Sequence, residues 1–198
     1  MTAIDLVSYA GLVAVGLLTA NMLLGLLMAV KYNPVRNWPH RRINTFKIHN
    51  WTGYVALAVC VLHALLLLAV KKPVFTFVDI VFPVGSPLQP LENTLGAIAL
   101  YAVAFVAVTS YFRLSLGRRR WKTLHYTAYA AGLLFFVHGI LTEPNLKGQP
   151  VDYIDGEKVY IELCMLAVLA AATWRLVYLR KHPKGRKAVL LRHAAEAR

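Results

Sequence analysis

The chain has 198 residues, of which 58% are hydrophobic and 16% are charged. A charged fraction this far below the roughly 25% of soluble domains excludes an ordinary soluble protein and predicts that most of the chain lies in lipid. The formal net charge of +13 does not by itself indicate nucleic-acid binding, because its meaning depends on where the basic residues fall. Cys60 and Cys164 lie in apolar runs and show neither a disulfide framework nor a CxxC spacing.

Five apolar segments are long enough to cross a membrane, for which a helix needs about 20 residues. In chain order they cover residues 6–30, 48–70, 94–112, 123–142 and 159–179. The first is interpreted as a transmembrane helix, because it lacks the basic n-region of a signal peptide and is too long for its apolar core. We predict an all-α integral membrane protein, a five-helix transmembrane bundle that forms a single domain over residues 1–198.

The connection at residues 73–90 is more apolar than a solvated loop, with Phe75, Phe77 and Phe82. Prolines and Asp79 divide it into pieces too short to cross, and the backbone of a broken segment could not be satisfied in lipid. We predict that it lies along the outer membrane surface and is not a sixth span.

Orientation follows from the short loops, because cytoplasmic loops hold an excess of Lys and Arg. Of the 22 basic residues, 18 fall on one side of the predicted membrane, and eight of the nine acidic residues fall on the other. This distribution predicts an outside N-terminus and a cytoplasmic C-terminus in a bacterial inner membrane. The net charge is then a topology signal, and no nucleic-acid partner is expected.

Histidines are the candidate functional residues, because ionisable groups inside membrane helices are costly. His49 and His63 lie fourteen residues apart in HNWTGYVALAVCVLH, and His125 and His138 lie thirteen apart in HYTAYAAGLLFFVH. One segment separates the two motifs, so both run in the same direction, with the first histidine of each near the cytoplasm. A rise of about 1.5 Å per residue places the two levels roughly 20 Å apart. Each level offers two imidazoles from facing helices, as a six-coordinate haem b iron needs, so the motifs predict two haem b groups.

The two intervals differ in geometry. Fourteen residues return to within about 40° of the starting face of a helix, whereas thirteen miss it by roughly 140°. Either His125 lies at a frayed helix start, or the fourth helix contains a bulge or kink near Gly132. The sequence does not decide between the two.

Basic residues beside the inner histidines are candidate partners of haem propionates, because Arg binds carboxylates well. They are Arg41, Arg42, Lys47, Arg118, Arg119 and Arg120, and for most of them the topology signal is an alternative explanation. Glycines on the histidine helices are candidates for close packing against a porphyrin, because they allow close approach to the backbone. These are Gly53, Gly132 and Gly139.

The two histidine motifs resemble the ferric reductase-like transmembrane domain family over about residues 44–141. That family includes ferric reductases, NADPH oxidases and the membrane subunit of the bacterial methionine sulfoxide reductase system. The resemblance implies that His49 and His125 share an inner haem and that His63 and His138 share an outer haem. Ferric reductases and NADPH oxidases usually have six helices and a C-terminal flavin and nicotinamide module, whereas this sequence has no GxGxxG motif and no βαβ pattern.

The expected function is that of a di-haem cytochrome b, the electron-transfer component of an oxidoreductase without a flavin or NAD(P)H domain or catalytic residues of its own. Besides lipid, its expected partners are a separate donor, a flavoprotein or a quinol, and an outer acceptor, and a homo-oligomer is compatible. A cytoplasmic flavin or quinone site is also compatible, although no motif supports one. One alternative is a histidine-based metal or proton transporter, for which mid-membrane carboxylates and broken helices are typical. Another is a non-redox membrane anchor for a partner enzyme.

Overall fold

A computed structural model describes residues 2–30, 44–143 and 153–181, and the regular structure within these ranges is helical throughout. Short 3₁₀ turns, Leu67–Ala69 and Pro83–Gly85, follow the second and third helices. The α-helices of the described ranges are α1 (Ala3–Ala29), α2 (Thr45–Leu66), α3 (Phe77–Val81), α4 (Pro90–Tyr111), α5 (Arg113–His125), α6 (Thr127–Leu141) and α7 (Gly156–Lys181).

Four of these helices, α1, α2 with its 3₁₀ turn, α4 and α7, are long and apolar enough to cross a membrane. Helices α5 and α6 are long and apolar enough only when taken together, as a pair bent by 40°. The described residues therefore hold four candidate spans, or five if the bent pair forms a single span. Large apolar side chains such as Leu133 and Leu163 are more than 60% exposed, as lipid-facing residues are. The predicted all-helical membrane fold is confirmed, and the orientation of its termini stays a prediction.

Two predicted boundaries move for local reasons. Helix α1 begins at Ala3 instead of residue 6, because the Thr2 hydroxyl accepts from the Asp5 N–H and the Asp5 carboxylate accepts from the Thr2 N–H. Helix α4 begins at Pro90 instead of residue 94, since proline suits the first turn, where no helical N–H bond is needed.

The connection predicted between the third and fourth segments is itself helical, as α5. Gly117 interrupts this helix with φ of 72°, a backbone conformation that side chains other than glycine rarely tolerate. The basic run that follows it, Arg118 to Arg120, therefore lies on a helix that leads into His125 and not in a loop.

The bend between α5 and α6 lies at Tyr126, directly after His125. The N–H of Tyr126 bonds to the Thr123 carbonyl, and the N–H of Tyr129 bonds to the Tyr126 carbonyl, which are 3₁₀-type steps. Such steps turn the chain by about 120° per residue instead of about 100°, so they alter the face on which the following residues lie. The helix is kinked as one expectation allowed, but the proposed position near Gly132 is wrong, because Gly132 lies inside regular α6.

The bundle core joins the first helix to the last two. Its buried residues come from α1, α6 and α7, and they are Val15, Leu26, Phe136, Ile161 and Val168. A second cluster, at the end of the bundle nearer to His63, joins Phe75 to Val7 and Val70. The rest of the 73–90 connection forms α3 and a 3₁₀ turn, with Phe77 and Phe82 exposed. It does not span, as predicted, and its location at a membrane surface stays a prediction.

Candidate functional site

The structure brings the four predicted histidines together in two pairs. The ring centroids of His49 and His125 lie 6.3 Å apart, and those of His63 and His138 lie 6.4 Å apart. In both pairs the ring planes are steeply inclined, at 73° and 70°. Each pair joins α2 to the bent α5–α6 pair, so the site consists of two similar levels within one bundle.

Three of the four imidazoles are held by a backbone carbonyl of a neighbouring helix. Nδ1 of His49 lies 3.1 Å from the carbonyl oxygen of Asn21, and Nδ1 of His63 lies 2.9 Å from that of Val7, both on α1. Nδ1 of His138 lies 2.8 Å from the carbonyl oxygen of Glu92 on α4. Because a carbonyl can only accept, each Nδ1 carries the proton and donates it. In the neutral ring the lone pair is then on Nε2, where it can bind a metal.

A glycine follows each of these carbonyls by four residues and makes room for the ring. A Cβ added at Gly11 would lie 3.1 Å from Cε1 of His63, and one added at Gly25 would lie 3.3 Å from Cε1 of His49. At Gly96 the distance to Cε1 of His138 would be 2.8 Å, closer than real Cβ contacts. We call this arrangement, a helix carbonyl at position i and a glycine at i+4, the imidazole seat.

The fourth histidine, His125, contacts a side-chain hydroxyl instead of a helix carbonyl. Nδ1 of His125 lies 3.1 Å from the hydroxyl oxygen of Ser110 on α4, and Nε1 of Trp121 donates to the same oxygen at 3.3 Å. The Trp121 ring also packs against the His125 ring, with centroids 5.1 Å apart. Ser110 follows Gly96 by fourteen residues, the interval that also separates Gly11 from Gly25. The small residues of α1 and α4 therefore repeat at the interval of His49 and His63.

Asn21 adds a second connection between α1 and α2 at the level of His49. Its side-chain amide donates to the carbonyl of His49 at 2.5 Å and to the hydroxyl of Thr52 at 2.8 Å. Its backbone carbonyl accepts from the His49 ring, so one residue of α1 contacts both the backbone and the side chain of His49. Sequence reasoning missed Asn21, although it is the only side-chain amide in α1.

The ring geometry fits metal ligation by opposed imidazoles. A metal–imidazole nitrogen bond is about 2.0–2.1 Å long, as for zinc, and Nε2 lies about 1.1 Å from its ring centroid, so two ligands on opposite sides of one metal place their centroids about 6.3 Å apart. Both observed distances agree with this value. No hydrogen-bond partner of the four Nε2 atoms was found among the described residues.

The described ranges hold no group of three or more His, Cys, Asp or Glu side chains that could bind a metal ion. A pair of imidazoles supplies only two ligands, so a metal with more ligands would need the others from a cofactor. A cavity of about 170 Å³ adjoins the outer pair and is lined by both of its histidines, by Gly11 and Gly96, and by Cys60. Two imidazoles in each pair match the two axial ligands of a haem iron, and the cavity provides space beside the His63–His138 pair.

The predicted propionate partners that the structure describes lie close in sequence to His49 and His125. Lys47 is exposed in the first turn of α2, two residues before His49. The three arginines are exposed on α5, within seven residues of His125, and they are Arg118, Arg119 and Arg120. Arg41 and Arg42 lie outside the described residues. The propionate role of all six stays a prediction.

The three glycines predicted to pack against a porphyrin face protein side chains. A Cβ added at Gly53 would meet the Asn21 amide, and one added at Gly139 would meet Ile161. At Gly132 the nearest atom is Cε of Met22, at 2.7 Å. Close packing against a haem stays a prediction for these glycines, and the contacts that they show join helices.

The whole arrangement is that of an all-helical membrane protein with two pairs of neighbouring imidazoles, each of which joins α2 to the bent α5–α6 pair. The family described as ferric reductase like transmembrane component matches residues 10–136, which include His49, His63 and His125 and end two residues before His138. The chain belongs to this family, whose domains generally bind haem and are components of membrane electron transfer. Comparisons with curated proteins and with solved structures found no significant match.

Proposed function

We propose that this protein is a di-haem cytochrome b that carries electrons across a bacterial inner membrane. His49 and His125 would hold one haem near the cytoplasm, and His63 and His138 would hold the other near the outside. The observation that carries the proposal is the pair of ring separations, 6.3 and 6.4 Å, combined with a hydrogen-bond partner for Nδ1 of each of the four histidines.

Haem supplies the one-electron chemistry, and the protein supplies ligands, orientation and a low-dielectric surrounding. The α1 and α4 carbonyls fix the tautomer of three imidazoles, so that Nε2 of each would be free to bind an iron. An acceptor on the second ring nitrogen also raises the basicity of a ligating imidazole. The seats orient the rings, because Gly11, Gly25 and Gly96 leave space that any other residue would fill.

Electrons must enter and leave through other molecules under this proposal. The basic inner end, with Lys47 and the α5 arginines, suits a cytoplasmic donor that is a separate flavoprotein, or a quinol at the bilayer edge. The acceptor is on the outer side, beyond His63 and His138. The protein is then the electron-transfer component of an oxidoreductase and not a complete enzyme.

The test is a spectrum and a haem count on the full chain purified in detergent. We expect b-type absorbance bands that sharpen on reduction with dithionite, and two haems per chain by extraction. A chain without haem would contradict the proposal and favour the histidine relay of a transporter or a non-redox anchor. One haem per chain would contradict the two-level arrangement.

A further inference from the structure

A buried lysine lies at the outer level of the site. Lys158, in the first turn of α7, is 4% exposed, whereas lysines are almost never buried without a partner. Its Nζ donates to the carbonyl of Gly139 at 3.1 Å and to that of Thr142, and it lies 3.7 Å from the carboxylate of Glu143. The amino group therefore has two carbonyl acceptors and a carboxylate at ion-pair distance, which is the surrounding that a buried ammonium group needs.

The contacts of Lys158 belong to the surroundings of His138. Gly139 is the next residue along the chain, and the hydroxyl oxygen of Thr142 lies 3.1 Å from Nδ1 of His138. Lys158 also lines the same cavity as His63 and His138. A charge in this position acts on the outer pair through little water, so its effect is screened much less than that of a surface lysine.

A structural role accounts for part of these contacts. The carbonyls of Gly139 and Thr142 are at the C-terminal end of α6, and a cation there satisfies carbonyls that lack a helical partner. Capping of the α6 carbonyls does not require that the charge be buried beside the outer histidines. A lysine that caps the helix still exerts its electric field on those histidines. The two roles differ in what they predict for a reduction potential.

We propose that Lys158 raises the reduction potential of the outer haem. The inference rests on the proposed function, because it requires a haem between His63 and His138. Reduction adds one electron to the iron and no other bond changes, so the reduced site is more negative by one charge. A fixed cation nearby stabilises that form, and the paired carboxylate of Glu143 partly offsets it. A higher reduction potential at the outer haem then favours electron flow from the inner haem to the outer one.

The test is a potentiometric titration of the purified full chain, which should resolve two one-electron components. In Lys158→Met, the equilibrium constant for reduction of one component should fall about tenfold. For a one-electron couple, this fall lowers the reduction potential by about 59 mV. Lys158→Arg keeps the charge and should stay within about threefold of the wild type. Glu143→Gln removes the opposing charge and should shift the same component upward. Lys181→Met, at the exposed far end of α7, is the matched control and should shift neither.

Two haems in Lys158→Met with both potentials unchanged would overturn the inference. Should that variant fail to fold or lose the outer haem, Glu143→Gln decides, and an unchanged or lowered potential in it contradicts the proposal. An unaltered absorbance spectrum of the oxidised variants checks that the histidine ligands stay bound. Absence of haem from the wild type would refute the proposed function itself, and the haem count shows this before any titration.

Discussion

The imidazole of His138 occupies the space that a side chain at Gly96 would need. A Cβ added at Gly96 would lie 2.8 Å from Cε1 of the ring. Nδ1 of the ring donates to the carbonyl of Glu92, which precedes Gly96 by four residues on α4. Helix α4 therefore fixes where His138 can lie, and α1 fixes His49 and His63 in the same way. The seats lead to predictions that concern residues other than the histidines themselves.

Replacing Gly96 should disturb the outer level alone. In Gly96→Ala the new methyl group pushes the His138 ring away from its carbonyl, and such overpacking costs about 1–3 kcal/mol. We expect the haem content to fall from two per chain toward one, measured by extraction. Gly85→Ala is the matched control, because nothing lies within 4 Å of an added Cβ there. Two fully bound haems with an unchanged spectrum in Gly96→Ala would show that the seat does not matter.

Replacing Ser110 should change the potential of the inner haem. Its hydroxyl oxygen lies 3.1 Å from His125 Nδ1. When Nε2 binds a metal, Nδ1 carries the proton and the hydroxyl accepts it, so Ser110→Ala removes that acceptor. A less basic ligand stabilises ferric iron less, so the potential of the inner component should rise. Redox titration of the variant measures the shift, and Ser115→Ala, on exposed α5, serves as the control. A fall in the potential would contradict the expected role of the hydroxyl.

Replacing Asn21 should loosen the contact between α1 and α2. Asn21→Leu keeps the approximate volume but removes two interhelical hydrogen bonds, each worth about 0.6 kcal/mol and at most about 1.7 in membrane proteins. The free energy of unfolding in detergent should fall by about 1–2 kcal/mol, as measured by denaturant titration followed by circular dichroism. The inner haem should be lost first, because Asn21 contacts His49. Equal loss of both haems would indicate a general effect on the bundle.

The predicted orientation can be measured with single cysteines. In a background with Cys60 and Cys164 replaced by alanine, Arg119→Cys should be labelled by a membrane-impermeant maleimide only after the cells are opened. Asp155→Cys should be labelled in intact spheroplasts. The expectation follows from the excess of basic residues on the Arg119 side. The opposite labelling pattern would invert the two levels and place His63 and His138 toward the cytoplasm.

Much of the fold was predictable because its signals are long-range patterns of composition. Apolar runs of membrane length predict the spans, and the regular interval from His49 to His63 places both on one face of α2. The break at Tyr126 was not predictable in position, because it consists of 3₁₀-type hydrogen bonds that any of several neighbouring residues could form. The interval of thirteen residues from His125 to His138 indicated that the helix is irregular between them, because a regular helix would place the two on different faces.

The seats were harder to predict, since a glycine in an apolar helix carries no pattern of its own. Their signal is the spacing of Gly11 from Gly25 and of Gly96 from Ser110, which matches the interval of His49 and His63. Lys158 lies one residue before the predicted last segment, residues 159–179, where a lysine is expected in a solvated loop. Its burial depends on where α7 packs against the end of α6, which is a property of tertiary structure.

Single histidine variants test the central claim most directly. Two stacked haems with opposed ligands predict that His49→Ala and His125→Ala lose the same redox component and that His63→Ala and His138→Ala lose the other. Each variant should retain about half of the haem of the wild type, measured by extraction together with potentiometric titration of the purified chain. Retention of both components in any of the four variants, or loss of the same component in His49→Ala and His63→Ala, would contradict the two-level cytochrome.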